Sequence, residues 1–263
     1  MIPFKNTFIN YSDKGSGKPI VLLHGYLETH EIWDGFADEL SKSFRVIAID
    51  IPGHGKSGKI EPVHNMDLLA EAVDCVLSTL SIDKAFFVGH SMGGYVALAC
   101  LANYLPKVSG ICMFHSTPFA DTEEKKANRD REIALIKEGK QESIFSVGVP
   151  KGFANDNLTP LKAKVDWAIG LARKCDPHGI IALLEGLKSR PDRQTLLKST
   201  TKPVLFILGK KDNFIPFDVM YAVAQHTLNG EVLTLENSGH MGFIEEQGIC
   251  LEALSSFVMQ HHH

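Results

Sequence analysis

Residues 86–94 read Phe86-Phe87-Val88-Gly89-His90-Ser91-Met92-Gly93-Gly94. An apolar run of buried-strand type, Ala85 to Val88, leads straight into G-x-S-x-G, and an apolar helical pattern follows from Tyr95 to Ala102. The spacing has a steric reason. A serine in so tight a strand-to-helix turn holds strained backbone angles, and the positions two residues away have no room for side chains. Glycines at 89 and 93 let neighbouring backbone come close. The turn pushes the Ser91 hydroxyl into the open at a helix N-terminus, where the free N–H of Met92 faces any negative charge that develops. The bland alternative is a glycine-rich turn with an idle serine; the correct flanking strand and helix argue against it.

Upstream, strand and helix signals alternate. Ile20 to Leu23 is an apolar run, and Ile32, Trp33, Phe36, Ala37 and Leu40 share one helical face. Arg45 to Ile49 is the next run, ending at Asp50 and the breakers Pro52, Gly53 and Gly55. Asn65 is placed to cap a helix carrying Leu69, Ala72, Val73 and Val76. Ile111 to Phe114 is a further strand. Continuous apolar strands between amphipathic helices predict a parallel sheet covered on both faces. After Ser116 the rhythm stops. Residues 118–202 hold helical patterns only, with Asp121 to Glu138 a charged helix, and carry 16 basic and 12 acidic residues against 11 and 19 in the remainder. Strands resume at Val204 to Leu208 and Val232 to Leu235, and a helix from Glu245 to Met259 closes the chain. The expected organisation is a core of residues 1–117 and 203–263 with a helical lid inserted at 118–202.

A serine hydroxyl needs a base, and the base an orienting partner. Asp212 follows one late strand and His240, between Gly239 and Gly242, follows the next. Parallel strands bring their C-terminal ends to one edge, so Ser91, Asp212 and His240 can meet there as nucleophile, acid and base. At the end of the strand Ile20 to Leu23, His24-Gly25-Tyr26 turns a backbone N–H toward the same edge. Tyr26 is the choice for a second oxyanion donor beside Met92, with Leu27 the alternative; His24 reads as structural. Leu27, His115, Phe119 and Trp167 are candidate pocket residues, although His115 reads more simply as a satisfied strand-end histidine. Trp33 reads as core. The mixed charges from Asp121 to Arg131 read as a solvated helix face.

With these motifs in order, and with Asp50-Ile51-Pro52-Gly53-His54-Gly55-Lys56-Ser57 between them, the chain resembles the α/β-hydrolase family over essentially its full length. The resemblance implies an α/β fold with an eight-stranded, mostly parallel sheet, helices on both faces and a helical lid. It implies a mostly structural role for the segment from Asp50 to Ser57, and neither His54 nor Ser57 is assigned to catalysis. Relatives that cleave carbon–halogen bonds or epoxides carry aspartate where this chain has Ser91, so attack on a carbonyl through an acyl-enzyme is expected. The G-G-G oxyanion segment of some lipases is absent. Carboxylic ester hydrolysis of a small, apolar substrate is the expected activity. Carbon–carbon, lactone, thioester and peracid chemistry on the same residues are rivals, as is a small-ligand receptor on the same scaffold.

Composition bounds the partners. The chain has 263 residues, 44% hydrophobic and 22% charged, with a net charge of −4. Such a chain has no electrostatic reason to hold nucleic acid, and no apolar run approaches membrane-spanning length. No signal-peptide pattern opens the sequence. The five cysteines are odd in number and widely spaced, as expected of reduced thiols in the cytoplasm. Scattered histidines lack metal-ligand spacing, and no cofactor is expected. The run His261 to His263 reads as a tag remnant.

Overall fold

The computed structural model describes residues 1–60 and 62–261; two residues of the terminal histidine run lie outside them. The anticipated strands all form: β4 (Pro19–Leu23), β5 (Arg45–Ile49), β6 (Ala85–His90), β7 (Val108–Phe114), β8 (Val204–Gly209) and β9 (Gly230–Leu235). Three more precede them: β1 (Ile2–Phe4), β2 (Thr7–Ile9) and β3 (Tyr11–Lys14). The main sheet has seven strands in the order β3-β5-β4-β6-β7-β8-β9, antiparallel only where β3 meets β5. Seven replaces the expected eight because β1 and β2 pair with each other as a separate hairpin.

Alternate residues of the central strands feed two cores. Val21, Leu23 and Phe87 face one; Ile20, Leu22, Phe86 and Val88 face the other. On the first side lie α2 (Met66–Thr79) and α3 (Met92–Asn103), through Val73, Val76, Val96 and Leu98. On the second lie α1 (Asp34–Leu40) and the C-terminal α11 (Gln247–His261), through Phe36, Leu40, Leu254 and Phe257. Trp33, fully buried, packs on Phe243 with ring centroids 4.4 Å apart, as its core reading required. Each such buried side chain is worth about 1.5–3 kcal/mol. Asn65 caps α2 by accepting the Leu68 N–H at 2.9 Å.

Between β7 and β8 run α4 (Glu123–Lys137), α5 (Gln141–Gly148), α6 (Lys162–Ala172), α7 (Pro177–Lys188) and α8 (Gln194–Ser199), with no strand. After β8 come α9 (Phe217–Gln225) and, after β9, the short α10 (Gly242–Glu245). The strand order reverses about β4 and β6, and in such sheets the crevice beyond the strand ends at that point is where ligands sit. Ser91 follows β6, the turn at Gly25 follows β4, and Asp212 and His240 follow β8 and β9.

Candidate active site

Ser91 has φ 50° and ψ −113°, a left-handed backbone that disfavours any side chain. Three hydrogen bonds hold it there. Its N–H donates to Phe114 at 2.9 Å, and its carbonyl accepts from Gly94 N–H at 3.0 Å and Ser116 Oγ at 2.6 Å. A Cβ at Gly89 would strike the Gly93 backbone, and one at Gly93 the Leu23 carbonyl. Both glycines are therefore required by contact.

Asp212 is fixed by its own turn. Its Oδ1 accepts the N–H groups of Phe214 at 2.8 Å and Ile215 at 3.0 Å. Its Oδ2 is left for His240, whose Nδ1 lies 2.8 Å away. With the Nδ1 proton so engaged, Nε2 of His240 is the free base position. The His240 N–H donates to the Gly152 carbonyl at 2.6 Å, and Glu245 holds the loop by accepting from Gly239 N–H at 2.9 Å and Met241 N–H at 3.2 Å. Burial alone would raise the Asp212 pKa, but the adjoining His240 imidazole and its hydrogen bond outweigh it and keep the carboxylate well below its usual range.

His115 also belongs to this cluster. It is 1% exposed, and its Nδ1 lies 3.2 Å from Asp212 Oδ2. The approach is off the hydrogen-bonding direction, so neither ring nitrogen has a hydrogen-bond partner. Burial draws its pKa down to about 4 despite the carboxylate, leaving it neutral. Donor atoms of His115, Asp212 and His240 fall within 4.8 Å of one another, close enough for a metal ion. The His240 donor in reach of Asp212, however, is already spent on the carboxylate, which is the pairing a general base requires rather than a ligand set.

A cavity of about 280 Å³ opens over Ser91, near the lower bound for a small-molecule site. Ser91, Met92, Tyr26, Leu27 and His240 all line it. Among the described residues, the N–H groups of Tyr26, Leu27 and Met92 donate to no other group. Leu27 itself has φ 62°, which kinks the turn. Tyr95, Ile144, Val149, Leu187, Ile215 and Met241 line apolar walls.

Three expected pocket residues lie elsewhere. His115 sits behind Asp212, Phe119 packs beside Arg190, and Trp167 rests on the core below α6 with Lys164 5.4 Å from its ring. The reading of Asp121 to Arg131 as a solvated face holds for most of the stretch but not for the side that meets the cavity. Lys125, Asn128, Arg129 and Glu132 recur at helical spacing along α4 and line the cavity. Asp121, 5% exposed, is shared by Arg129 at 2.5 Å and Arg190 at 2.5 Å, and the Arg190 guanidinium stacks 4.1 Å from the Tyr95 ring. The polar spacing was present in the sequence, but which way that face turned was not. His24 is structural as expected, its Nε2 accepting the Ile51 N–H at 2.9 Å. Ser57 is too, bridging Asn10 N–H and the Asp50 carbonyl.

The α/β-hydrolase fold description matches residues 18–247, and the chain belongs to that family. It is 28% identical over 257 residues to the AB hydrolase superfamily protein YisY of Bacillus subtilis, covering 94% of this chain and 92% of that one. It is also 28% identical over 256 residues to a pimeloyl-[acyl-carrier protein] methyl ester esterase of Stenotrophomonas maltophilia, covering 93% and 94%. Among solved structures, a thermophilic esterase from Thermogutta terrifontis superposes with a TM-score of 0.94 at 25% identity, covering 98% of this chain and 95% of that one. The chain is accordingly a hydrolase-fold protein with esterase relatives. Among the described residues, no helix is long and apolar enough to cross a membrane.

Proposed function

We propose that the protein is a serine hydrolase that cleaves a carboxylic ester of a small, largely apolar substrate through an acyl-enzyme on Ser91. The observation that carries the reading is the pairing of His240 Nδ1 with Asp212 Oδ2 at 2.8 Å beside a cavity that both His240 and Ser91 line. Ser91 attacks the acyl carbonyl while His240 Nε2 takes its proton. Asp212 fixes the tautomer and stabilises the imidazolium. The N–H groups of Met92 and of Tyr26 or Leu27 receive the oxyanion, each such donor being worth about 2.7–4 kcal/mol in comparable sites. His240 then protonates the departing alkoxide, and water repeats the sequence to free the acid. No step calls for a cofactor.

The helices of residues 118–202 act as the lid, since α4 supplies one wall of the cavity. The five thiols are unpaired, which suits a reducing compartment, and we place the enzyme in the cytoplasm with a small-molecule substrate as its only required partner.

The test is labelling with a fluorophosphonate together with turnover of p-nitrophenyl esters of graded chain length. A single adduct on Ser91, and loss of ester turnover in Ser91→Ala, are expected. An unlabelled Ser91 in folded protein, or turnover unchanged in Ser91→Ala, overturns the proposal. Failure on every ester alongside turnover of a diketone moves the same residues to carbon–carbon hydrolysis.

A further inference from the structure

We infer that His90 is held as a permanent imidazolium and that, with Glu28, it is a positioning pair that ties the three loops of the site together. The catalytic consequence rests on the hydrolase reading above; the charge state does not.

His90 immediately precedes Ser91 and is 1% exposed. Both its ring nitrogens face oxygen acceptors. Nδ1 lies 3.1 Å from Glu28 Oε2, and Nε2 lies 2.9 Å from the backbone carbonyl of His240. A neutral imidazole has one N–H and one lone pair, so either tautomer would point a lone pair at an oxygen. Only the doubly protonated ring donates to both. Moving one proton to Glu28 would also pair every atom, because a carboxyl O–H can donate to Nδ1 while its oxygen accepts the Gly25 N–H. The Gly25 N–H, 2.5 Å from Oε2, favours the carboxylate over that neutral pair, since a charged acceptor makes the stronger hydrogen bond.

The surroundings favour the charged pair. Burial works to lower His90 and to raise Glu28, but their mutual attraction and hydrogen bond outweigh it, so His90 is raised and Glu28 lowered. The other titratable groups around His90 are His240, with ring centroids 4.8 Å apart, His115 at 6.3 Å, and Asp212, whose charge also favours the cation; His24, near Glu28, is kept neutral by burial and accepts the Ile51 N–H. Trp33, Phe114 and Phe243 close the remaining sides edge-on and exclude water. A Cβ on Gly25 would come within 2.8 Å of His90 Nδ1 and 2.9 Å of Glu28 Oε2. Glycine in the turn is therefore what lets the pair close.

The pair reaches every moving part of the proposed chemistry. Glu28 holds the Gly25 N–H and so sets the loop that presents Tyr26 and Leu27. His90 is bonded in sequence to Ser91. Its Nε2–H holds the carbonyl of the base, His240. Removing the charge leaves the His240 loop attached through Gly152 and Glu245, so the loop persists while its alignment to Ser91 loosens. Misplacement on the order of 1 Å costs about a hundredfold in such sites.

Nitrogen-15 NMR of the intact protein labelled at histidine reads the charge directly. Two protonated ring nitrogens on His90, persisting above about pH 8 where an ordinary histidine is neutral, are expected. One unprotonated nitrogen near neutral pH overturns the inference without any variant. In Glu28→Gln, burial no longer meets a counter-charge. The His90 signal becomes neutral, kcat on the ester turned over by the wild type falls about tenfold or more, KM stays within about twofold, and fluorophosphonate labelling slows in step. Wild-type kcat in folded Glu28→Gln overturns the positioning role. A charged His90 in a protein whose Ser91 takes no label overturns the hydrolase reading and leaves the charge state standing.

Discussion

The Tyr26 hydroxyl donates to Glu132 Oε2 at 2.9 Å, joining the turn after β4 to a helix 106 residues later. The bond crosses the cavity wall, since both residues line it. Burial, the leading cause, and the adjoining Glu132 carboxylate raise the tyrosine pKa well above its usual range, so the phenol remains a donor. Tyr26→Phe removes the donor and keeps the ring. A hydrogen bond to a carboxylate contributes about 1.5–3 kcal/mol, less where water can replace it. The expected outcome is a KM several-fold higher with kcat nearly unchanged, read by steady-state kinetics on the preferred ester. A drop in kcat at constant KM would instead place the hydroxyl in the transition state.

Ser91 stores strain, and that strain separates two substitutions that both abolish attack. At φ 50° a glycine is at ease and an alanine is not. Ser91→Gly is expected to melt higher than Ser91→Ala, by about 2–4 °C for each kcal/mol released, with both variants unlabelled by fluorophosphonate. Equal melting temperatures would mean that the turn relaxes when the hydroxyl is lost. This is the usual exchange of stability for an exposed nucleophile.

Acid should destabilise the fold through imidazoles buried without charge. Burial is the leading cause in each case: it draws His54 to about 3, His64 to about 4 and His115 to about 4. An unfolded chain protonates these rings near 6.5, so it binds protons that the native state refuses. Their contribution is fully present above about pH 6.5 and is lost as pH falls toward 4. His30 and His90, both raised, act in the opposite sense over the neutral range. Burial lowers His24 as well, and each unit of separation is worth about 1.4 kcal/mol, so the lowered rings dominate. His54 has no hydrogen-bond partner at either nitrogen. His54→Leu is therefore expected to flatten the fall in melting temperature between about pH 6.5 and 4 without cost at neutral pH. An unchanged acid limb in His54→Leu would assign the loss to other groups.

What the sequence carried plainly was whatever one local segment decides. Gly89, Ser91 and Gly93 specify their turn by sterics within a few residues, and apolar runs such as Phe86 to Val88 mark strands buried on both faces. Asp212 and His240 were legible because each ends a strand, and parallel strands share an edge. The short β1, β2 and β3 escaped notice because each runs only three or four residues with mixed burial, too few to form a pattern. The wall of the cavity escaped for a different reason. A charged stretch such as Lys125 to Glu132 looks the same whether its face meets water or a pocket, and the choice is made by how α4 packs on α7. The Glu28–His90 pair joins residues 62 apart, and no local pattern signals it.

The junction between that helical segment and the core gives a prediction whose sign propensity alone would miss. An alanine in place of a helical glycine stabilises by about 1 kcal/mol when nothing else changes. At Gly186 in α7 the added Cβ would meet the His64 carbonyl and come within 2.9 Å of the Asn65 N–H. Those are backbone atoms of the segment leading into α2, and they cannot swing aside. The same segment is already tied to α7 by the His64 N–H, which donates to the Ala182 carbonyl at 2.8 Å. At Gly170 in α6 the added Cβ meets nothing within 4 Å. Gly170→Ala is therefore expected to raise the melting temperature by about 2–4 °C, and Gly186→Ala to lower it by at least as much, because overpacking against backbone costs about 1–3 kcal/mol. Thermal unfolding of the two single variants side by side decides the point: a gain at both positions would mean that α7 moves off the core easily, and the contact at His64 would then carry no docking energy.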